Sequence, residues 1–198
     1  MKKFLDFINK INKIDLDYNK KKENFIDFKF NFDNNLKDEN ICYKNLSYNI
    51  AYIYLNNNKT NFKIDIEVLK NQITKCKYNY ILIIIHDESG NFTHITSLVI
   101  DNKLKKSILF DNKGDKNIIN FLNLIIKKLE LKYPLTYSYK YSKNLYKCDV
   151  CLPFTFLFIY SYIKFNIDLN KFIKFFNDKT NEDTYNIANK FLNFLMIK

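Results

Sequence analysis

Two of the four cysteines, Cys148 and Cys151, lie three positions apart in the stretch NLYKCDVCLPF, directly before the longest apolar run of the chain. Such a pair can form a redox couple or supply half of a zinc site. A single cysteine in this position can instead act as a nucleophile. Both can also be small buried residues at a contact between a helix and a sheet.

The residues around the pair indicate that a helix begins within a residue or two of Cys151. Asp149 is a suitable N-cap, and Pro153 is tolerated only in a first helical turn, where backbone N–H groups have no intrahelical partner. A helix N-terminus carries partial positive charge, so it favours a thiolate and can bind an oxyanion. Cys151 therefore lies in a setting that activates a cysteine.

The two other chemical interpretations are less well supported by the rest of the chain. In thioredoxin-like folds the paired cysteines follow an early strand and precede several further elements, whereas only helical sequence follows here. A zinc site needs two more ligands, and none of the remaining candidates has ligand spacing; these are Cys42, Cys76, His86 and His94. The pattern favours a nucleophile.

A nucleophilic cysteine needs a base, and the chain contains two histidines. His86 ends an apolar strand and His94 begins the next. A hairpin of residues 93–101 and 106–113, with its loop centred on positions 103 and 104, would place position 96 opposite 111 and 94 opposite 113. His94 and Asp111 then become diagonal neighbours at one end of the sheet. Taken singly, they would be a half-buried strand histidine and a solvated turn aspartate; together with Cys151 they suggest a thiol-protease triad.

The elements that must position these residues follow from the apolar periodicity. Helices are predicted at 1–14, 65–76, 117–131, from about 151, at 169–177 and at 182–197, and strands at 25–32, 80–87, 93–101, 107–112 and 135–141; residues 33–40 are predicted as a loop and 41–57 are ambiguous but strand-like. This order predicts an α+β fold with a mainly antiparallel central sheet, helices at both sides and Cys151 at the N-terminus of a buried helix. We expect one domain over residues 1–198, divided into a 1–75 region, a 76–165 core and C-terminal helices over 166–198.

Composition restricts the partners. The net charge is +11 and all 32 basic residues are lysines, scattered along a chain rich in residues with AT-rich codons. Without arginine, base-specific readout is not expected, so a nucleic-acid partner would be bound non-specifically through its backbone. Irregular cysteine spacing without a leader peptide predicts a reducing intracellular compartment. The apolar run Val150–Ile163 is too short to span a bilayer, so we expect no membrane association.

HITSLVIDNKLKKSILFDNKG followed by NLYKCDVCLPF resembles the adenovirus-type (adenain-like) maturation proteases, which are cysteine proteases related to the SUMO-deconjugating peptidases. In that family a histidine opens a strand, the next strand ends in an acidic residue, a glycine lies three positions beyond, and the catalytic cysteine opens the long buried helix. His94, Asp111, Gly114 and Cys151 occupy these positions. The resemblance covers roughly residues 80–165 and extends to proteases of virophages and large transposons.

The family also carries a glutamine upstream of the cysteine, whose amide donates to the oxyanion. Asn144, seven positions before Cys151, corresponds to it with a shorter side chain. Two further departures are Leu152 and Pro153 in place of the glycine after the nucleophile, and Ile95 in place of the aromatic residue after the histidine.

The resemblance implies a cysteine endopeptidase with catalytic residues Cys151, His94, Asp111 and Asn144, for which the chemistry requires no cofactor. It implies viral capsid or core precursor proteins as substrates, cut near glycine or other small residues. It also implies DNA or a viral peptide as an activator, as in some members. We expect a monomer that acts in the virion or at the virus assembly site.

Two alternatives remain open from the sequence. One is a deubiquitinase-like or deSUMOylase-like peptidase that acts on ubiquitin-like conjugates and shares this chemistry. The other is a non-catalytic basic structural protein of a virus-like particle. The departures at Asn144 and at Leu152–Pro153 are the features that support a non-catalytic protein.

Overall fold

The computed structural model describes residues 1–15, 32, 34–48, 60–75, 77–87, 94–112, 123, 126–137 and 151–196. They belong to two compact units, one formed by Met1–Glu39 with Lys143–Lys198 and the other by Asn40–Ser142. Helices make up the described elements of the first unit, and the second contains a five-stranded sheet. The α+β class is therefore confirmed, while the single domain and its three segments stay a prediction.

The sheet of the second unit is mixed. Its strands occur in sequence order, and the three central ones pair antiparallel as expected, whereas each edge strand joins its neighbour in parallel. The strands are β1 (Ile41–Tyr48), β2 (Tyr80–Asp87), β3 (His94–Asp101), β4 (Lys106–Phe110) and β5 (Leu135–Tyr137). In β2, residues 81–85 are all buried, which explains why its sequence is a continuous apolar run without alternation.

The parallel pairs require crossover connections, and helices supply them. Helix α2 (Thr60–Thr74) connects β1 to β2, and residues 126–129 are helical between β4 and β5. Ile66 and Leu69 of α2 and Leu129 pack on one face of the sheet, against residues such as Ile83 and Leu98. This apolar core fixes the central strands. Helix α2 begins five residues before the predicted start.

The hairpin of β3 and β4 has the predicted register. Ser97 pairs with Phe110 and Asp101 with Lys106, which leaves a four-residue loop centred on positions 103 and 104. The Asp101 carboxylate accepts a hydrogen bond from the backbone N–H of Leu104 at 2.8 Å and so holds the loop. Because the two strands keep this register, the first residues of β3 lie beside those that directly follow β4.

The helical unit is built around one buried helix. Helix α3 (Cys151–Phe165) is buried at almost every position from Cys151 to Ile163. Around it lie α1 (Lys2–Asn12), α4 (Leu169–Asn177) and α5 (Asn181–Met196). Ring contacts connect these helices, such as Phe154 with Phe176 at 4.9 Å and Phe7 with Tyr160 at 5.1 Å between centroids. A helix buried all round matches its apolar sequence.

Side-chain caps define where the last two helices begin. The Asp168 carboxylate accepts from the backbone N–H of Lys171 at 2.9 Å, which satisfies a donor in the first turn of α4. Thr180 and Asp183 form a reciprocal capping box before α5, with the Thr180 hydroxyl 2.8 Å from the Asp183 carboxylate. The predicted bounds of both helices agree with the structure to within one residue.

The expectation of a strand at 25–32 and a loop at 33–40 is wrong for the residues that the structure describes. Phe32 and residues 34–36 are helical, and Lys37–Glu39 form a 3₁₀ turn. Phe32 and Leu36 are both buried, and a spacing of four places them on one helical face. The remaining residues of that predicted strand lie outside the described part. None of the described helices combines the length and apolar content needed to cross a bilayer.

Candidate active site

The second unit contains a buried histidine–aspartate pair. His94 Nε2 lies 2.6 Å from Asp111 Oδ1, and the two side chains are 6% and 3% exposed. An ionised carboxylate can only accept, so Nε2 carries the hydrogen and donates it to Asp111. The second ring nitrogen, Nδ1, is buried as well. In this tautomer Nδ1 is the atom that can take up or release a proton.

The sheet explains why these two residues meet. His94 is the first residue of β3, where it pairs with Asp87 of β2, and Asp111 directly follows β4. Because β3 and β4 are antiparallel, the start of one and the end of the other lie at the same end of the sheet. The predicted proximity of His94 and Asp111 is confirmed.

Cys151 is the first residue of α3, as the N-cap and proline signals indicated. The residue is 5% exposed, and its side chain is a thiol that forms no disulfide. Pro153 occupies the third helical position, where its missing N–H removes no intrahelical hydrogen bond. Because α3 begins at Cys151, this residue lies at the end of the helix that carries a partial positive charge.

The other predicted residues cannot be compared with the structure. Asn144, Cys148, Asp149 and Gly114 lie outside the described residues, and the assignment of Asn144 stays a prediction. The backbone of His86 pairs with that of Ile95, but its side chain lies outside the described part of the chain. The structure thus brings His94 and Asp111 together, and their catalytic roles stay a prediction.

Two polar residues beside the pair carry no signal in the sequence that would have singled them out. Asn112, next to Asp111, is 1% exposed, and its amide oxygen and nitrogen make no hydrogen bond within the described residues. Thr96 is fully buried two positions after His94, and its hydroxyl likewise has no partner there. Buried polar atoms of this kind are few in native proteins, and among the described residues the Ser107 and Ser161 hydroxyls are further examples away from the pair.

Two thiols are present in the part of the chain that the structure describes. Cys42 lies half-buried on β1, and Cys151 is the second. The described residues contain no group of three His, Cys, Asp or Glu side chains that could bind a metal ion.

No protein-family model matches the chain, and no curated protein sequence matches it significantly. Among solved structures, the ASFV pS273R protease matches 81% of this chain with 14% identity and a TM-score of 0.45, and the match spans 65% of that protease chain. The SUMO protease Ulp1 matches 99% of this chain and 94% of its own in two structures. The form with its catalytic cysteine oxidised to a sulfinic acid has 13% identity and a TM-score of 0.40. The sulfenic acid form has 14% identity and a TM-score of 0.41.

Proposed function

We propose that this chain is a cysteine endopeptidase in which Cys151 is the nucleophile, His94 the general base and acid, and Asp111 the residue that positions His94. The buried hydrogen bond between His94 and Asp111 is the observation that carries the proposal. Taking an aspartate and a histidine out of water is costly, and the hydrogen bond between the two side chains offsets part of that cost. An oriented imidazole at the end of a sheet is suited to proton transfer.

Asp111 has two effects on the proposed base. By accepting from Nε2, its carboxylate holds the ring in one orientation and leaves Nδ1 to exchange a proton with the thiol. It also stabilises the imidazolium that forms when His94 takes that proton, because the interaction occurs in a poorly solvated environment. Both effects favour a thiolate–imidazolium pair.

Cys151 gains a second source of activation from its helix. Cys151 is the first residue of α3, so it lies at the positive end of the helix dipole. This favours the thiolate over the thiol. The backbone N–H groups of the first helical turn can donate to an oxygen that becomes negative next to the sulfur, so one helix start serves both the nucleophile and the oxyanion.

The proposed reaction proceeds in two halves. The thiolate of Cys151 attacks the peptide carbonyl carbon, a C–S bond forms, and the carbonyl oxygen becomes an oxyanion. When the tetrahedral intermediate collapses, the C–N bond breaks and His94 gives its proton to the leaving amine. Neutral His94 then takes a proton from a water molecule, and the resulting hydroxide attacks the carbonyl carbon of the thioester. The C–S bond breaks, the acyl product leaves as a carboxylic acid, and Cys151 is released as the thiolate. The thiolate–imidazolium pair is restored.

Asn144 is proposed as the second donor to the oxyanion, through its side-chain amide. Its position seven residues before Cys151 supports this assignment. Loss of one such donor typically lowers kcat by about 10²–10³. An Asn144→Ala variant should therefore keep the thiol reactivity of Cys151 while its turnover falls by that factor.

The proposed substrates are viral capsid or core precursor proteins, cut near glycine or another small residue in the virion or at the assembly site. The proposed enzyme is a monomer, and DNA or a peptide activates it. The net charge of +11 supports contact with a polyanion but carries no sequence preference. Each of these assignments comes from the resemblance of the residues around His94, Asp111 and Cys151 to the adenovirus-type maturation proteases.

Peptide cleavage by the full chain tests the proposal. Peptides with Gly-Gly at the scissile bond are incubated with wild type, Cys151→Ala and Cys148→Ala, each with and without DNA. We expect cleavage by wild type and Cys148→Ala and none by Cys151→Ala. Equal loss in both variants would indicate a functional cysteine pair. Preferential cleavage of a ubiquitin-like fusion over the peptides would favour the deconjugating alternative.

Alkylation by iodoacetamide separates an inactive protein from a wrong substrate. If no peptide is cleaved, iodoacetamide should still modify Cys151 of the folded wild type at neutral pH, and it should do so faster than it modifies the half-buried Cys42. Slower modification of Cys151 than of Cys42 would contradict an activated nucleophile and favour a non-catalytic protein.

A further inference from the structure

The second unit contains a cleft at the end of the sheet opposite the His94–Asp111 pair. It has a volume of about 570 Å³ and lies between the segment after α2, the start of the β3–β4 loop and the segment before β5. Volumes of roughly 300–1,000 Å³ are typical of ligand sites. Since β3 spans seven residue steps from His94 to Asp101, the cleft is about 23 Å from the pair.

The rim of this cleft is basic. Lys77, Lys103 and Lys132 line it, one from each of the three segments, and all are exposed. The one carboxylate among its described lining residues is Glu130, which is paired with Lys70 at 2.6 Å and therefore already compensated. An anionic group entering the cleft thus meets a net positive potential from three directions.

The floor of the cleft is aliphatic. Ile73, Ile81, Ile100, Leu129 and Leu131 contribute to its lining and provide no side-chain hydrogen-bond donors or acceptors. A floor of this kind stabilises an apolar side chain that leaves water. The occupant must therefore combine negative charge at the rim with an apolar group beneath it.

Lysines cover one face of two aromatic rings at this end of the sheet. The Lys132 ammonium lies 5.6 Å from the centre of the Tyr133 ring, and that of Lys103 lies 5.2 Å from the Tyr80 ring. Tyr78 also lines the cleft and is 44% exposed, so it is the aliphatic floor that favours an apolar peptide side chain over a nucleic-acid base. We propose that the cleft is a docking site for an acidic peptide segment with a Leu or Phe side chain that enters the aliphatic floor.

Fluorescence anisotropy with the full chain tests this site independently of peptidase activity. The probe is a short fluorescein-labelled peptide of Glu and Asp residues with two Leu, measured at near-physiological salt. A variant with Lys77→Ser, Lys103→Ser and Lys132→Ser should bind it about tenfold or more weakly, because three exposed charge interactions are lost. Replacing both Leu of the peptide with Ser should weaken binding to wild type by a comparable factor.

A matched variant controls for net charge. Lys2→Ser, Lys3→Ser and Lys13→Ser remove the same three charges from exposed positions of the helical unit. This variant should bind the peptide like wild type. Equal weakening by both triple variants, or no effect of the Leu replacements, would overturn the proposal. Tighter binding of an oligothymidylate than of the acidic peptide, lost in the cleft variant, would overturn it in favour of a nucleic-acid site.

Discussion

The Asp111→Asn substitution tests the role of the buried hydrogen bond between His94 and Asp111. Asn keeps the size of the side chain and removes the charge that stabilises a protonated His94. Its amide can also donate to Nε2 and so favour the opposite tautomer. Because the pair is buried, water cannot substitute for the lost carboxylate. The expected result is a weaker base at His94 in a fold that is otherwise retained.

The magnitude follows from the geometry of the pair. A hydrogen bond to a charged group contributes about 1.5–3 kcal/mol, and the 2.6 Å contact with side-chain exposures of 6% and 3% belongs to this class. If that energy stabilises the imidazolium partner of the thiolate, its loss lowers the reactive fraction roughly ten- to 150-fold near neutral pH. Near pH 9 the difference should disappear, because the thiolate then forms without a protonated His94.

The assay is the second-order rate of iodoacetamide modification at Cys151, followed by mass spectrometry of its peptide between about pH 5 and 9. Asp101→Asn is the matched control, since Asp101 is 1% exposed, lies at the other end of the same hairpin and keeps its acceptor for the Leu104 N–H. Its rate should match wild type. Identical pH profiles for Asp111→Asn and wild type would refute the link between this pair and the thiol.

Three further predictions concern stability, each measured by urea unfolding. Asp168→Ala should lower the free energy of unfolding by about 1 kcal/mol because it removes the cap of α4, while Asp168→Asn, which retains an acceptor, should be close to wild type; equal losses would show that the cap is not the cause. Phe154→Ala should cost about 3–5 kcal/mol, since the ring is fully buried in the helical unit, and a loss below 1 kcal/mol would contradict tight packing there. Burial raises the pKa of Tyr160, so as the pH rises the phenol ionises in the unfolded chain before it ionises in the folded protein. The stability that this difference provides is fully present below about pH 10 and is lost as the pH rises further. Tyr160→Phe should reduce that alkaline loss relative to wild type and to the exposed control Tyr78→Phe; unchanged pH dependence would refute the assignment.

The central part of the fold could be predicted because its signals are local. The apolar run at 80–87 and the strand-like stretch at 93–101 set two strands, and a four-residue loop then fixes the register that brings His94 to Asp111. The start of α3 was equally local, because Pro153 allows few alternatives. A hairpin and a helix start are short-range features, so the residues on them were identifiable.

Other features depend on partners distant in sequence and were not predictable in the same way. Side-chain alternation sets the faces of a strand but not the direction of its neighbour, so the parallel edge strands β1 and β5 gave no signal. Phe32 fitted a two-residue period with the preceding phenylalanines, and its burial with Leu36 in a helix prevailed over that pattern. The lysine-rimmed cleft joins three segments that are separated by tens of residues, so no local motif marks it.

During synthesis on a ribosome, α1 is made long before α5, the helix of the same unit that it contacts. The Lys190 ammonium donates to the backbone carbonyl of Asn12, and 178 residues separate the two. At about 5–20 residues per second, α1 would wait roughly 9–36 s for α5 to be made. An eleven-residue helix is marginal by itself, so Phe7 and its neighbours stay exposed until α3, and then α5, has been made. Slower translation should therefore increase chaperone engagement and aggregation of the nascent chain, whereas the continuous sheet unit completes its strands earlier.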